Sequence, residues 1–339
     1  MKSAYLIYAA KRLGQAVLVV LLAYVLTFVV ISVLPGDPLS TTLRNPENGF
    51  TEDQIAQMVA YYGLDRPVLV QLWEALSRFV VGDLGISLRS SLPVARVIGD
   101  ALPSTVALAV TALAVALVLA FAIAYGVQLL PRRYGQGLLR SLPALFLSIP
   151  NFVIGLLLLN VFAFQLGLFS VIDPNSLWAT FFAAIALGIP VSAQIAEVLI
   201  TGLDHEFRQE YAVVAYARGL GRTRLFFAHL LKPSALPVVT VIALAVGELL
   251  GATLITESVF GRAGIGSVIQ SAVSTQDLPV LQAVVSLTAL VFVTVNLLAD
   301  LAYPLLDPRV TLLGPAARST SAKTDEHAFV PAPAEKVGA

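Results

Sequence analysis

Six stretches of this chain each stay apolar for about as long as a helix needs to cross ~30 Å of hydrocarbon, and that feature removes most folds open to 339 residues. They run over residues 17–34, 105–130, 142–164, 178–200, 237–255 and 281–301. Within a bilayer only helices and closed barrels satisfy every backbone N–H and C=O, and uninterrupted apolar runs of this length specify helices. The expected fold class is therefore all-α, a polytopic membrane bundle of six transmembrane helices. Composition agrees: with 58% apolar residues, 12% charged residues and a mean hydropathy of +0.85, a soluble body could not hide its apolar surface. Lys2, Lys11 and Arg12 precede the first run as in a secretory leader, but the run is long and no small-residue cleavage site follows cleanly. It is read as a spanning helix.

Charge placement supplies the orientation. With the N-terminus inside, the short inner segments carry Lys2, Lys11, Arg12, Arg132, Arg133, Arg140, Arg208, Arg218, Arg222, Arg224 and Lys232, whereas the short outer loops carry only Arg262. That asymmetry puts both termini in the cytoplasm, as an even helix count requires. Net charge is zero, which gives no long-range pull toward nucleic acid.

The expected organisation is a cytoplasmic N-terminus (1–16), a first transmembrane helix (17–34), an extracytoplasmic insert (35–104), a transmembrane core (105–301) with a cytoplasmic loop at 204–237, and a cytoplasmic tail (302–339). The tail is expected to be disordered from residue 314, where Ala, Pro, Ser and charged residues lack apolar periodicity. The insert holds eight acidic and five basic residues and carries helix signals. Thr51 with Gln54 reads as a capping box, Ile55, Met58, Val59 and Tyr62 share one face, and Gly63 closes the helix. Leu72, Trp73, Leu76, Phe79 and Val80 then share a second face that Gly82 ends. Such helices lie against the membrane surface or the mouths of the spans, either as a structural lid or as a docking surface for an external partner.

Several chemistries are excluded by what is missing. Without cysteine there is no disulfide, thiolate metal site or cysteine nucleophile. None of the five lysines follows a glycine, so no phosphate-cradling Gly-Lys loop exists. His205, His229 and His327 all fall in cytoplasmic segments, too scattered for metal ligation and out of reach of a membrane-buried serine. No catalytic and no metal residues are expected. Glu248 stands alone in the fifth apolar run and is a candidate intramembrane functional residue; the plainer reading is a glutamate bonded to a neighbouring helix or facing a water-filled pathway. Glu197 and Asp300 lie nearer the run ends, where side chains can snorkel out.

The 204–237 loop is the most patterned segment. Asp204 can cap a helix, Ala212, Ala215 and Ala217 keep part of its surface small, Gly219 stops it, and a second helix begins within 220–231. Two short helices around a glycine suit a membrane subunit gripped by a soluble motor; an ordinary amphipathic surface loop is the alternative.

Here the sequence resembles the dipeptide and oligopeptide permease family of binding-protein-dependent ABC importers, whose hallmark is a cytoplasmic EAA loop. Glu210, Tyr211, Ala215, Ala217, Gly219 and Leu220 match the peptide-permease version of that loop, and Pro233 and Pro237 match its exit into the fifth span. Pro35-Gly36-Asp37-Pro38, the segments 63–67, 82–88 and 257–266, and Asp307-Pro308-Arg309 agree in order, so the resemblance covers roughly residues 10–312. The glutamate of the wider consensus falls on Val213, and basic family positions fall on Val213 and Tyr216, leaving the loop less basic than usual.

The resemblance implies the MetI-like fold of type I ABC importer permeases in a bacterial inner membrane and a non-catalytic subunit without a cofactor, ATP and Mg being bound by partner subunits. It implies as partners a homologous second permease, two ATPase subunits and an extracytoplasmic solute-binding protein, besides membrane lipid and no nucleic acid. The expected function is half of a pathway for peptides; nickel chelates, glutathione or oligosaccharides are alternative solutes, and an ion-coupled secondary transporter or a membrane scaffold are competing classes.

Overall fold

The computed structural model describes residues 2–33, 43–45, 49–131 and 135–306. The described residues form helices α1 (Lys2–Val33), α2 (Glu52–Tyr62), α3 (Val68–Val80), α4 (Val94–Leu129), α5 (Gln136–Ser148), α6 (Asn151–Leu158, extended by a π-helical stretch Leu159–Gln165), α7 (Leu177–Phe207) and α8 (Glu210–Ala217). After these, α9 (Arg222–Leu225) passes through a π-helical stretch Phe226–Leu230 into α10 (Leu231–Phe260), followed by α11 (Ile265–Ser274) and α12 (Leu278–Leu306).

Among the described residues five segments are long and apolar enough to cross a membrane: Tyr8–Val30, Val94–Leu129, Leu177–Phe207, Arg222–Phe260 and Leu278–Leu301. The run expected at 142–164 is different. It is divided between α5 and the α6 segment, which meet at a 97° bend and qualify only as a pair. The cause is local: Pro150 brings no N–H and forces Ile149 out of the helical region, where it adopts φ −104° and ψ 120°.

The other helices overrun their apolar stretches. The segment assigned to a plain N-terminus (1–16) is helical from Lys2, because a run of good helix formers with no proline and a single glycine, Gly14, carries the first helix past the apolar run. There Arg12 pairs with Asp300 at 3.2 Å, and the Tyr8 hydroxyl donates to the Asp300 carbonyl, tying α1 to α12. Helix α4 likewise begins at Val94, eleven residues before the expected span, and carries Pro103 within it.

The bundle is centred on the packing of α4 against α7. Leu108, Ala112, Ala116, Ala120 and Ala124 recur every fourth residue along α4 and are all fully buried. On α7, Gly188 brings the backbones so close that a Cβ would stand 3.0 Å from the Ala112 carbonyl oxygen. Small residues let helices approach where lipid offers no hydrophobic drive, and dispersion contacts hold them. By contrast α1 exposes Leu18, Leu22, Leu26 and Val30, a lipid-facing surface.

The insert sits at the end of the bundle where α4 and α12 begin. The capping box forms: the Gln54 amide N–H donates to Thr51 Oγ1, and the Thr51 amide donates to Gln54 Oε1 at 2.9 Å. Gly63 closes α2 at φ +64°. On α3 the predicted single face divides, since Phe79 stacks on Tyr24 of α1 at 4.5 Å while Trp73 and Val80 point outward. The loop after α3 is fastened by Asp277, whose buried carboxylate accepts from the Ser87 hydroxyl and from the Leu88 and Arg89 amides. Pro35-Gly36-Asp37-Pro38, Arg132, Arg133, Asp307-Pro308-Arg309 and the expected disordered tail lie outside the described residues.

Candidate functional site

At the opposite end from the insert, the chain leaves α7 and returns along α9 and α10 through the loop singled out by its sequence. Asp204 does not cap a helix. It lies inside α7, where its carboxylate accepts from Gln128 at 3.0 Å and from Arg140, tying α7 to α4 and α5. A helix N-cap needs non-helical backbone; Gln209, at φ −69° and ψ 148°, has it and begins α8, without a side-chain cap.

Within α8, Ala212 is buried against the bundle and Ala215 packs beside it, while Glu210, Tyr211, Val213, Val214, Tyr216 and Ala217 face outward. The Tyr211 hydroxyl donates to Glu206, and desolvation together with that carboxylate pushes its pKa up to about 12. Gly219 turns the chain at φ +89°, and its N–H donates to the Tyr216 carbonyl at 2.9 Å. Leu220 N–H follows, donating to the Ala215 carbonyl. A Cβ at Gly219 would meet no atom within 4 Å, so this glycine serves backbone conformation, not close packing.

The expected second short helix is not separate. Residues 222–260 form one continuous 39-residue helical segment, with Pro233 and Pro237 inside it and not in a connector. Its root is aromatic: Phe226, 1% exposed, packs edge-on against Phe121 and Tyr125 at 5.6 and 5.1 Å, and Leu225 and Leu230 are buried beside it. The tip is therefore exposed and the base fixed. The exposed residues combine Tyr211, Val213, Val214 and Tyr216 with the cations Arg208, Arg218, Arg222 and Arg224.

Glu248 is not alone either. Its carboxylate accepts from Gln194 Nε2 on α7 at 2.9 Å, and it remains exposed on a face it shares with Leu244 and Ile255. Beside it, the ring of Phe292 lies over Gly247, where a Cβ would stand 2.2 Å from Phe292 Cδ2.

A further acid escaped the sequence reading. Glu257 is 0% exposed at the far end of α10, where it accepts from Thr105 Oγ1 at 2.6 Å and from the Gly266 amide at 2.7 Å. Arg262, thought to be a lone outer-loop cation, is buried beside it and donates to Thr180 Oγ1 at 2.8 Å and to Ser104. Burial pulls the Arg262 pKa below its ordinary value, opposed by the Glu257 charge. The available signal was the Gly261–Gly264–Gly266 spacing after a glutamate, because a Cβ at Gly264 would overlap the Glu257 carboxylate.

These features define a multi-span helical membrane protein with a rooted, exposed hairpin at one end and a fastened insert at the other. Among the described residues no group of three His, Cys, Asp or Glu side chains could hold a metal ion. Residues 112–312 match the family described as binding-protein-dependent transport system inner membrane component, and residues 5–109 match its N-terminal counterpart. The glutathione transport system permease protein GsiC of Escherichia coli (strain K12) is 30% identical over 304 residues, covering 89% of this chain and 98% of that protein. GsiC from Shigella boydii serotype 4 (strain Sb227) and from Salmonella paratyphi A (strain ATCC 9150 / SARB42) matches at the same identity and coverage.

The chain belongs to the family of binding-protein-dependent transport system inner membrane components. It is thus a multi-pass inner-membrane permease subunit of an ABC importer, non-catalytic and without a cofactor of its own. ATP binding lies with ATPase partners, and the solute arrives on a binding protein.

Proposed function

We propose that this permease forms half of a pathway for short peptides, with a homologous second permease as the other half and two ATPase subunits beneath. Relatives named for glutathione transport support a peptide-class solute, since glutathione is itself a tripeptide. The observation that carries the coupling reading is the hairpin: an exposed tip at Glu210, Tyr211 and Gly219, rooted by Phe226 in a single 39-residue helical segment. A force on that tip moves one connected rod, because continuous helix transmits displacement that an irregular loop would absorb. Ala215 and Ala217 keep the tip narrow enough for a cleft, Leu220 anchors it against the bundle, and Pro233 and Pro237 leave the rod's lower turns short of two backbone donors.

In this reading the hairpin and both termini are cytoplasmic, and the insert faces the binding protein. The face bearing Gln194, Glu197 and Glu248 lines the pathway, since an exposed carboxylate facing lipid would be expensive. Gly219→Trp tests the coupling: a Cβ there meets no atom within 4 Å and the strain of its left-handed backbone is confined to the exposed hairpin, so membrane insertion should stay at the parental level. Transport of reduced glutathione or a tripeptide into proteoliposomes with all partners should fall by about tenfold or more, the loss a coupling term of 1–3 kcal/mol produces. Undiminished transport and ATP hydrolysis would sink the assignment of this hairpin.

A further inference from the structure

The turn between the rod and α11 is built to be loose. Gly261 sits at φ +68°, Gly264 follows, and four residues separate Phe260 from Ile265. Left to backbone stiffness, α11 would hinge on two glycines. Instead, side-chain contacts cross the turn: the Ser258 hydroxyl donates to Gln270 Oε1 at 2.9 Å on the exposed side, and Glu257, Thr105 and Arg262 supply the inner ones. Glu257 accepts the Gly266 N–H, Thr105 Oγ1 accepts the Ile265 N–H at 2.7 Å while donating to Glu257, and Arg262 reaches α4 through Ser104. Thr105 is 2% exposed and Glu257 fully buried, so water does not compete for these groups. A buried carboxyl group is costly to keep unless its partners are fully met, which marks this arrangement as more than filler between helices.

We propose that Glu257, acting through Thr105, is a positioning residue that splices α11 rigidly to the far end of the 222–260 rod. Displacement imposed on the hairpin is thereby delivered to α11, at the mouth beside the insert, and not lost in the glycine turn. This rests on the reading that the hairpin receives the ATPase.

The test uses the full complex with its ATPase subunits in nanodiscs. The chain has no cysteine, so Val273→Cys, at an exposed position of α11, gives a single thiol. Its modification rate by a soluble maleimide is compared with and without ATP plus orthovanadate. With the native splice the rate should change by about fivefold or more, the response expected of sites coupled by about 1 kcal/mol. Adding Thr105→Val, which removes only the bridging hydroxyl, should keep ATP hydrolysis within about twofold and flatten the nucleotide response; Thr105→Ser should restore it. A merely structural knot predicts the opposite pattern, lower yield and hydrolysis with the response intact, and that result overturns the proposal. An unresponsive thiol in the parental complex that still hydrolyses ATP also overturns it. If the parental complex shows no ATP hydrolysis, the coupling reading beneath it fails instead. Should Thr105→Val not assemble, Gly264→Ala, whose Cβ would displace the Glu257 carboxylate, is judged by the same comparison.

Discussion

At the scale of single residues, the glycines separate into two kinds with different expected costs. Gly188→Val should destabilise the bundle by about 2–4 kcal/mol, because its Cβ meets the Ala112 carbonyl and Val115, and backbone cannot step aside. Gly219→Ala should cost only about 1–2 kcal/mol, the price of a left-handed backbone, and only in the hairpin. Thermal unfolding of the purified chain in detergent checks both, with the Gly188 variant melting clearly lower. Asp277→Asn is a third case. It keeps the shape but weakens acceptance from Ser87, Leu88 and Arg89, and removing a buried charge-assisted acceptor costs about 1–3 kcal/mol. Amide exchange in 82–92 should accelerate while exchange along α7 stays unchanged; equal acceleration everywhere would contradict a local fastening. Tyr211 has its folded pKa raised above the ordinary tyrosine value, so its neutral form is the favoured one in the folded hairpin. Its contribution to hairpin order is complete below pH ~10 and disappears as the pH climbs through about 12, which ultraviolet titration against Tyr211→Phe detects.

At the scale of elements, hydropathy measures where a helix crosses lipid and is silent about where it ends. That is why the core of each span was legible at 17–34 or 178–200, whereas α1 and α7 prove longer by turns that carry polar residues such as Arg12 and Asp204. Local stereochemistry was legible where it depends on a few neighbours: Thr51 and Gln54 cap α2, and Gly63 and Gly219 turn left-handed. What could not be read was anything decided by tertiary approach. The pairing of Glu248 with Gln194 and the burial of Glu257 and Arg262 depend on distant partners, whereas the 97° break at Pro150 has a local cause that an apolar run does not register. Asp204 shows the same limit, since its carboxylate suits a cap locally and is claimed by Arg140, 64 residues away. Helix α3 carries its own prediction. Its exposed Trp73, Val80 and Leu69 leave large apolar side chains uncovered on a helix that packs on α1 through Phe79, so the helix belongs in the interfacial zone, where tryptophan is favoured. Lipids brominated near the headgroup should quench Trp73 fluorescence in a Trp178→Phe background more than lipids brominated deep in the chain.

At the scale of the molecule, two ends with different charge are joined by a small-residue core that cannot easily deform. The hairpin end gathers Arg140, Arg208, Arg218, Arg222, Arg224 and Lys232, and Arg12 and Asp300 bring the N-terminal helix and α12 to that same end. The insert end gathers Glu52, Asp53, Asp65, Glu74 and Asp83. A cation-rich end held on the inside is the arrangement that insertion favours, and the rigid α4–α7 contact means both ends must be oriented together. The cysteine-free sequence makes this directly measurable. Glu52→Cys, on the exposed first turn of α2, should react with an impermeant maleimide in intact spheroplasts, whereas Val213→Cys, exposed on α8, should react only after the membrane is opened. Because one core joins the two sites, the reverse pattern would invert every functional surface at once, leaving the hairpin on the side where no ATP is available to drive it.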